Sequence, residues 1–340
     1  MLDLGGDAVR VAVRPLPLLT SRRHIDLVRV CSAASSPRAG GPAPARAHRA
    51  HRGRRMPASA PTAVPSFRNR IGCDARSGYY AVPHRYRLHL SSACPHGLRI
   101  AVTHSLLGLE DVLPVTPLPA VPDAPDGGYL ALRPLYEASS HQHPGPAVAP
   151  VLSDDWTGRI VSTHTPDILR DLVRQFGGHG PDLHPQGAEE EIAAVGRLCE
   201  RDITRAAQRA GEPGGGSAAR DTALATLLRA LDALEVRLGS GRHVLGGELT
   251  LADVQVWATL VHLDTVHRHH LDAAAVHGIA GHPRLWAYAQ ALTAHPAFGT
   301  HLDLDGLARR HHAHCRGEEA AGAAMQIVDW AAYAAEAAFG

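Results

Sequence analysis

The chain has 340 residues, 45% of them hydrophobic, and its 34 basic and 33 acidic side chains leave a formal net charge of +1. Length and composition suit a soluble globular protein of about two domains with a core to bury. No apolar run approaches the roughly 18 residues that a membrane span needs, so a membrane-spanning role is excluded. No lysine occurs, and the chain is rich in Ala, Arg, Gly and Pro, a pattern of GC-rich coding that warns against reading each arginine as functional.

Residues 1–63 hold 11 Arg against 3 Asp, a balance of +8 that leaves −7 for the remainder. The stretch "SSPRAGGPAPARAHRAHRGRRMPASAPTAVP" has almost no aromatic or periodic apolar content and is predicted to be disordered, because it cannot bury enough surface to offset its ordering entropy. No aromatic residue is interleaved with these arginines, so nucleic acid is not expected as a partner. Arg10, Arg14, Arg22 and Arg23 interrupt the early apolar runs and speak against a secretory signal, while a transit peptide stays open. Met56 precedes the first recognisable domain sequence, and an over-extended gene start is the favoured reading of residues 1–55. The five cysteines (Cys31, Cys73, Cys94, Cys199 and Cys315) are odd in number, widely spaced and without C-x-x-C. That is neither a disulfide framework nor a zinc motif, and a reducing cytoplasm is expected.

The first ordered domain is predicted over residues 64–185. In "HRYRLHL", Tyr86, Leu88 and Leu90 alternate with Arg85, Arg87 and His89, the period of a strand. A helix is expected from Pro95 to Leu107, closed by Gly108, followed by a short strand in "DVLPVTPL". "AVAPVL" and "GRIVST" read as a strand pair joined by the turn "SDDWTG". "HTPDILRDLVRQFGG" then reads as a helix with Thr165 as N-cap, Pro166 first in the helix and Gly177 closing it. The order is β-α-β, an unassigned stretch, then β-β-α, which is the order of a thioredoxin-like domain. The fold class expected is therefore α/β plus all-α, because residues 186–335 read as helical throughout. Leu224, Leu227, Leu228, Leu231, Leu234 and Leu238 fall on one face of a helix ended by Gly239, and Thr250-x-x-Asp253 is a capping box ahead of an apolar run.

Cys94 stands where a strand ends and a helix begins, and the free N–H groups and positive dipole end of a helix N-terminus stabilise a thiolate. A thiolate is the nucleophilic form of cysteine, so Cys94 is the candidate nucleophile, with a buried structural cysteine as the plain alternative. Pro150 opens a strand, where in a thioredoxin-like fold a cis-proline turns the preceding backbone outward to meet a peptide-like ligand. Thr165, at a helix start, also marks an anion-accepting position. The clusters "HRHH" (267–270) and "RRHHAHC" (309–315) place His267 with His270, and His311 with His314, at helical spacing. They are read as solvent faces, and no metal is expected.

A thioredoxin-like domain with a cysteine at its first helix, followed by an all-helical domain, resembles the glutathione transferases. "FRNRIG" (67–72), "YRLHLSSACPHGLR" (86–99), "LLGLEDV" (106–112), "APVLSDDWTGRIVSTHTPDILRDL" (149–172) and "HPRLWAYAQAL" (282–292) narrow the resemblance to the glutathionyl-hydroquinone reductases, the xi-class glutathione transferases, over residues 65–315. The resemblance implies that Cys94 attacks the sulfur of a thiol-conjugated hydroquinone, releasing the quinol through a mixed disulfide. It places the thiol's cysteinyl backbone on Ala149, before Pro150, and its γ-glutamyl end on His164 and Thr165. It also implies a homodimer, a low-molecular-weight thiol (glutathione, or mycothiol) as co-substrate, and aromatic or quinone conjugates as partners.

The sequence departs from the family at the thiol site. C-P-W-A-H reads C-P-H-G-L, so His96 stands for the tryptophan, and the family's glutamate becomes His164. A tryptophan expected after the second strand is absent, Pro146 stands for an arginine, and Gln208 and His267 stand for tyrosines. A non-catalytic binding protein on the same scaffold is the competing expectation.

Overall fold

The computed structural model describes residues 66–337 apart from 178–179, 215 and 316–318. The predicted disorder of residues 1–63, and Met56 as a start, lie outside the described residues. All described residues belong to one compact unit, Ser59–Gly340.

Four strands form one sheet in the order β2-β1-β3-β4, built from β1 (Tyr86–Leu90), β2 (Val115–Pro117), β3 (Val151–Asp154) and β4 (Arg159–Ser162). β1 runs parallel to β2 and antiparallel to β3, and β3 runs antiparallel to β4. Tyr86, Leu88 and Leu90 are buried while Arg87 and His89 are less so, as the alternation predicts. Arg85 departs from that reading: it precedes the strand, is only 5% exposed, and its guanidinium donates to both oxygens of buried Asp154 at 2.9 and 3.1 Å. Tyr80 and the indole of Trp156 cover its faces. A charge can leave water on these terms because partner and hydrogen bonds come with it.

α1 (Pro95–Leu106) and α3 (Thr165–Asp171) pack together, and Leu88, Leu98, Ile100, Leu152, Val161 and Ile168 share the core on that side of the sheet. The unassigned stretch of the sequence holds α2 (Arg133–Ser139), which joins Tyr129, Leu132, Tyr136, Val151 and Ile160 in a separate, smaller core. Thr165 is not the N-cap of α3. His164 is, without a side-chain capping bond, and Thr165 and Pro166 are the first two helical residues. Proline tolerates either early position, so the motif alone could not fix the register. A π-helical turn, Leu172–Phe176, continues α3 to Gly177.

The rest is helical. α4 (Glu189–Arg197) runs through a π-helical stretch, Leu198–Thr204, into α5 (Arg205–Ala210). α6 (Ser217–Leu238) buries Leu227, Leu231 and Leu234 and lays Leu224, Leu228 and Leu238 against the core. α7 (Leu251–Thr265) is the central helix. After it come a 3₁₀ turn, His267–His270, then α8 (Ala273–Ala280), α9 (Pro283–Thr293), α10 (Pro296–Gly299), α11 (Leu304–His314) and α12 (Trp330–Ala337). One continuous hydrophobic cluster joins the sheet side to the helices through the packing of α1 on α7.

α7 owes its start to the capping box. Asp253 accepts from the Thr250 backbone N–H at 2.7 Å, the Thr250 hydroxyl at 2.9 Å, the Val244 N–H at 2.8 Å and the Tyr288 hydroxyl. Asp253→Ala strands these donors in a buried place. It should lower the unfolding free energy by roughly 2–4 kcal/mol, read as a shift in the urea midpoint, whereas an exposed control, Asp221→Ala, should leave the midpoint near wild type.

Candidate active site

Three chain segments meet at one end of the sheet. β1 leaves through Leu90 into the turn that carries Cys94. The register His89↔Val151 brings the chain entering β3, at the cis Ala149–Pro150 bond, beside that exit. β4 ends there too, since Leu152 pairs with Ser162, and leads into His164 and Thr165. Cys94, Ala149, Pro150, His164 and Thr165 are thus collected on a single sheet edge by topology.

Cys94 is the N-cap residue of α1, 7% exposed, with extended backbone and no side-chain capping bond. Its N–H donates to the Ser91 carbonyl at 3.1 Å and its carbonyl accepts from Leu98 at 2.8 Å, so the turn is fixed on both sides. Gly97 makes this fit possible: a Cβ there would lie 2.3 Å from the Ser91 carbonyl oxygen.

One turn further on, Arg99 lies between α1 and α7. It donates to the Pro95 carbonyl at 3.2 Å, to Gln255 of α7 and to Nδ1 of His96, all neutral acceptors. Burial pulls its pKa below the usual range, opposed by the negative charge that Cys94, Glu200 and Cys199 can carry. His96, in the tryptophan's place, is pushed down to about 3 by burial and by Arg99, so it presents a neutral ring. His262 is pushed down to about 4, again by burial first, with Arg310 and Arg99 adding to it and the carbonyls of Ala258 and Ala93 opposing. Its Nδ1 pairs with the Ala258 carbonyl at 3.0 Å. His267 is likewise held down to about 3 by burial.

A charged network occupies the start of α3. His164 Nδ1 lies 2.9 Å from Asp167 and 3.0 Å from the Arg68 guanidinium, which itself donates to Asp167 at 2.8 and 2.9 Å. Burial opposes the ionisation of Asp167, but the Arg68 hydrogen bonds, His164 and Arg70 outweigh it and hold its pKa below the usual carboxylate range. The glutamate of the family pattern is thus replaced by an imidazole on a carboxylate already engaged by two arginines.

Several residues near the cysteine were not singled out from the sequence. Gln255, Thr259 and His262 form a polar stripe at i, i+4, i+7 on α7, a signal that "LADVQVWATLVH" does carry. Arg310, read as part of a solvent face, instead crosses to donate to the Ala120 carbonyl at 2.9 Å and the Tyr129 hydroxyl at 3.1 Å. Gln208, in a tyrosine's place, is exposed.

The profile described as "Glutathione S-transferase, C-terminal domain" matches residues 217–291. Glutathionyl-hydroquinone reductase YqjG of Escherichia coli is 27% identical over 271 residues, 73% of this chain and 82% of that protein. The chain is a homologue of the glutathionyl-hydroquinone reductases and xi-class glutathione transferases. Among solved structures, a glutathione transferase from Gordonia bronchialis is 29% identical with a TM-score of 0.64, covering 72% of this chain and 81% of that one. The xi glutathione transferase of Phanerochaete chrysosporium is 26% identical with a TM-score of 0.63, covering 73% and 85%. This homologue therefore combines a thioredoxin-like domain with a helical glutathione transferase domain, and is an enzyme of the glutathione transferase type.

The buried histidines set a pH dependence. A folded-state pKa near 4 for His262, below the unfolded value near 6.5, means that the unfolded chain binds the extra proton first. Stability should be fully present above pH 6.5 and fall as the pH drops toward 4, by up to about 1.4 kcal/mol per pH unit for each such histidine. His262→Gln should flatten that slope in thermal melts between pH 7 and pH 4.5; an unchanged slope would show that His262 is not a source of it.

Proposed function

We propose that this enzyme is a thiol-dependent reductase whose nucleophile is Cys94. The carrying observation is that Cys94 caps α1 at the sheet edge where the cis Ala149–Pro150 backbone and the start of α3 converge. The relatives named as glutathionyl-hydroquinone reductases supply the reaction class. The Cys94 thiolate attacks the sulfur of a thiol-conjugated hydroquinone or related aromatic. An S–S bond forms, the S–aryl bond breaks, and the ring carbon takes the electron pair and a proton to leave as the quinol. A second small thiol then attacks the mixed disulfide, freeing Cys94 and releasing the thiol's disulfide, so the aromatic is reduced by two electrons and two thiols are oxidised.

The helix N-terminus and the guanidinium of Arg99 supply positive charge on the side of α1 where the sulfur ionises. Ala149 presents backbone to the cysteinyl unit of the thiol, and Thr165, the first residue of α3, offers its single backbone N–H and its hydroxyl to the carboxylate end, since Pro166 has no N–H. His164, held by Asp167 and Arg68, stands where a carboxylate would accept an ammonium group. That side favours a small thiol recognised without a free amino group at this end, which makes mycothiol a co-substrate to set beside glutathione. We place the enzyme in a reducing cytoplasm and expect it to act as a homodimer.

The test is intact-mass analysis of the protein and its Cys94→Ser variant after exposure to glutathionyl- and mycothiyl-menadiol, with released quinol followed in parallel. Wild type should gain one thiol adduct and release quinol, and Cys94→Ser should lose turnover by about 10³-fold or more. Turnover surviving in Cys94→Ser would overturn the mechanism. No adduct from either donor would favour a binding protein on the same scaffold.

A further inference from the structure

The helical part holds a second group of chemically capable side chains. His270, at the end of the 3₁₀ turn, and His311 and Cys315, at the end of α11, converge: His270 Nε2 lies 3.1 Å from Cys315 Sγ, and Cys315 Sγ lies 3.3 Å from His311 Nδ1. The one nitrogen of each ring and the sulfur all fall within 4.8 Å of one another. A tetrahedral ion with metal–nitrogen bonds near 2.0 Å and metal–sulfur bonds near 2.3 Å needs ligand atoms about 3.3–3.8 Å apart. The two N···S contacts, at 3.1 and 3.3 Å, are already close to that spacing, and the two nitrogens lie within 4.8 Å of each other.

A thiol has one proton and can donate it to only one of two imidazoles, so hydrogen bonding alone leaves one N···S contact without a bridging proton unless that ring is itself the donor. A divalent ion meets all three lone pairs at once. The opposite side of His311 is also suggestive. His311 is 5% exposed, its Nε2 is buried without a hydrogen-bond partner, and Glu319 Oε1 stands 3.9 Å away. His269 Nδ1, equally buried and unpartnered, is 3.7 Å from the same oxygen. An ion on Nδ1 forces the ring proton onto Nε2, facing that carboxylate, which is the usual second partner of a metal-bound histidine. Because the two nitrogens of one ring point apart, the set with Glu319 and the set with Cys315 are not two halves of one shell. The thiolate set suits the ion and Glu319 orients His311.

We propose that His270, His311 and Cys315 bind a thiolate-accepting divalent cation of the zinc type, with Glu319 and His269 as the outer partners. Binding joins the metal to two neutral imidazoles and the sulfur, and the Cys315 thiol gives up its proton to solvent. A cleft of about 220 Å³, lined by His269, His311, His312, Asp264 and Asp329, lies beside this cluster. The ion would tie the turn after α7 to the end of α11, a structural role separate from the chemistry at Cys94.

Untagged full-length protein is stripped with chelator and titrated anaerobically with Co²⁺. The expected result is one cobalt per chain, with the intense visible bands of tetrahedral cobalt and a near-ultraviolet thiolate-to-cobalt band. Cys315→Ser should abolish the thiolate band and His311→Asn should weaken zinc at least about tenfold, whereas Cys94→Ser should keep the full spectrum. In wild type, zinc should slow alkylation of Cys315 at least tenfold relative to the stripped protein, read by peptide mass, and this needs no variant. No stoichiometric cobalt, a thiolate band that survives Cys315→Ser or vanishes in Cys94→Ser, or equal alkylation rates with and without zinc would each overturn the proposal in favour of a hydrogen-bonded triad only.

Discussion

The packing of α7 organises the molecule. Its residues from Leu251 to Asp264 are buried except Gln255, so the helix must be surrounded on every side rather than laid on a surface. α1 supplies one side, α4 and its π-helical continuation another, and α9 a third. Each polar residue on such a helix needs a partner inside the protein. Asp253 is met by backbone N–H groups and Tyr288, Gln255 by Arg99, and Asp264 by Trp330. The surroundings of Cys94 and the contacts to the C-terminal segment are thus both tied to this buried helix, one through its α1 face and one through its last turn.

The surroundings of Cys94 differ in kind from those of the start of α3. Around the cysteine, backbone geometry does the work: a helix start, a cis peptide and a glycine that lets α1 close on Ser91. Such features survive large side-chain change. The start of α3 is built from side chains instead, an Arg68–Asp167–His164 network. Charge-assisted contacts are worth more than neutral ones and depend on matching signs, so substitutions alter this end more readily than the turn at Cys94.

Much of the fold was legible in the sequence because its signals are local. Period-2 burial in Tyr86, Leu88 and Leu90, Thr250 with Asp253, and Gly239 after the leucine face of α6 each need only a few neighbouring residues. What was not legible depends on distance along the chain. Arg85 looked like a solvent-facing residue because its partner, Asp154, is 69 residues away. α2 is only seven residues long, with a proline second, so its period is too brief to read. The histidine clusters gave the wrong picture for a related reason. Helical spacing paired His311 with His314, whereas His314 is exposed and His311 turns inward to meet His270 and Cys315. Of the candidate site, Cys94, Pro150 and Thr165 could be named from motif order and Ala149 and His164 from the family resemblance, while Arg99 and Arg310 become visible only when α1, α7 and α11 are brought together.

The clasp on Arg268 and Asp264 bears on the order in which the chain can assemble. Arg268, 7% exposed, donates to the carbonyls of Gly322 and Ala323, and Asp264 accepts from Val328 N–H and from the Trp330 indole, which is 66 residues further along. On a ribosome, the last turn of α7 is made long before any of these partners exists. Until Trp330 emerges, an arginine and an aspartate have only each other to offset leaving water. The last turn of α7 therefore lacks these partners over the 66 residues of synthesis between Asp264 and Trp330, and it closes only when the segment around α12 arrives.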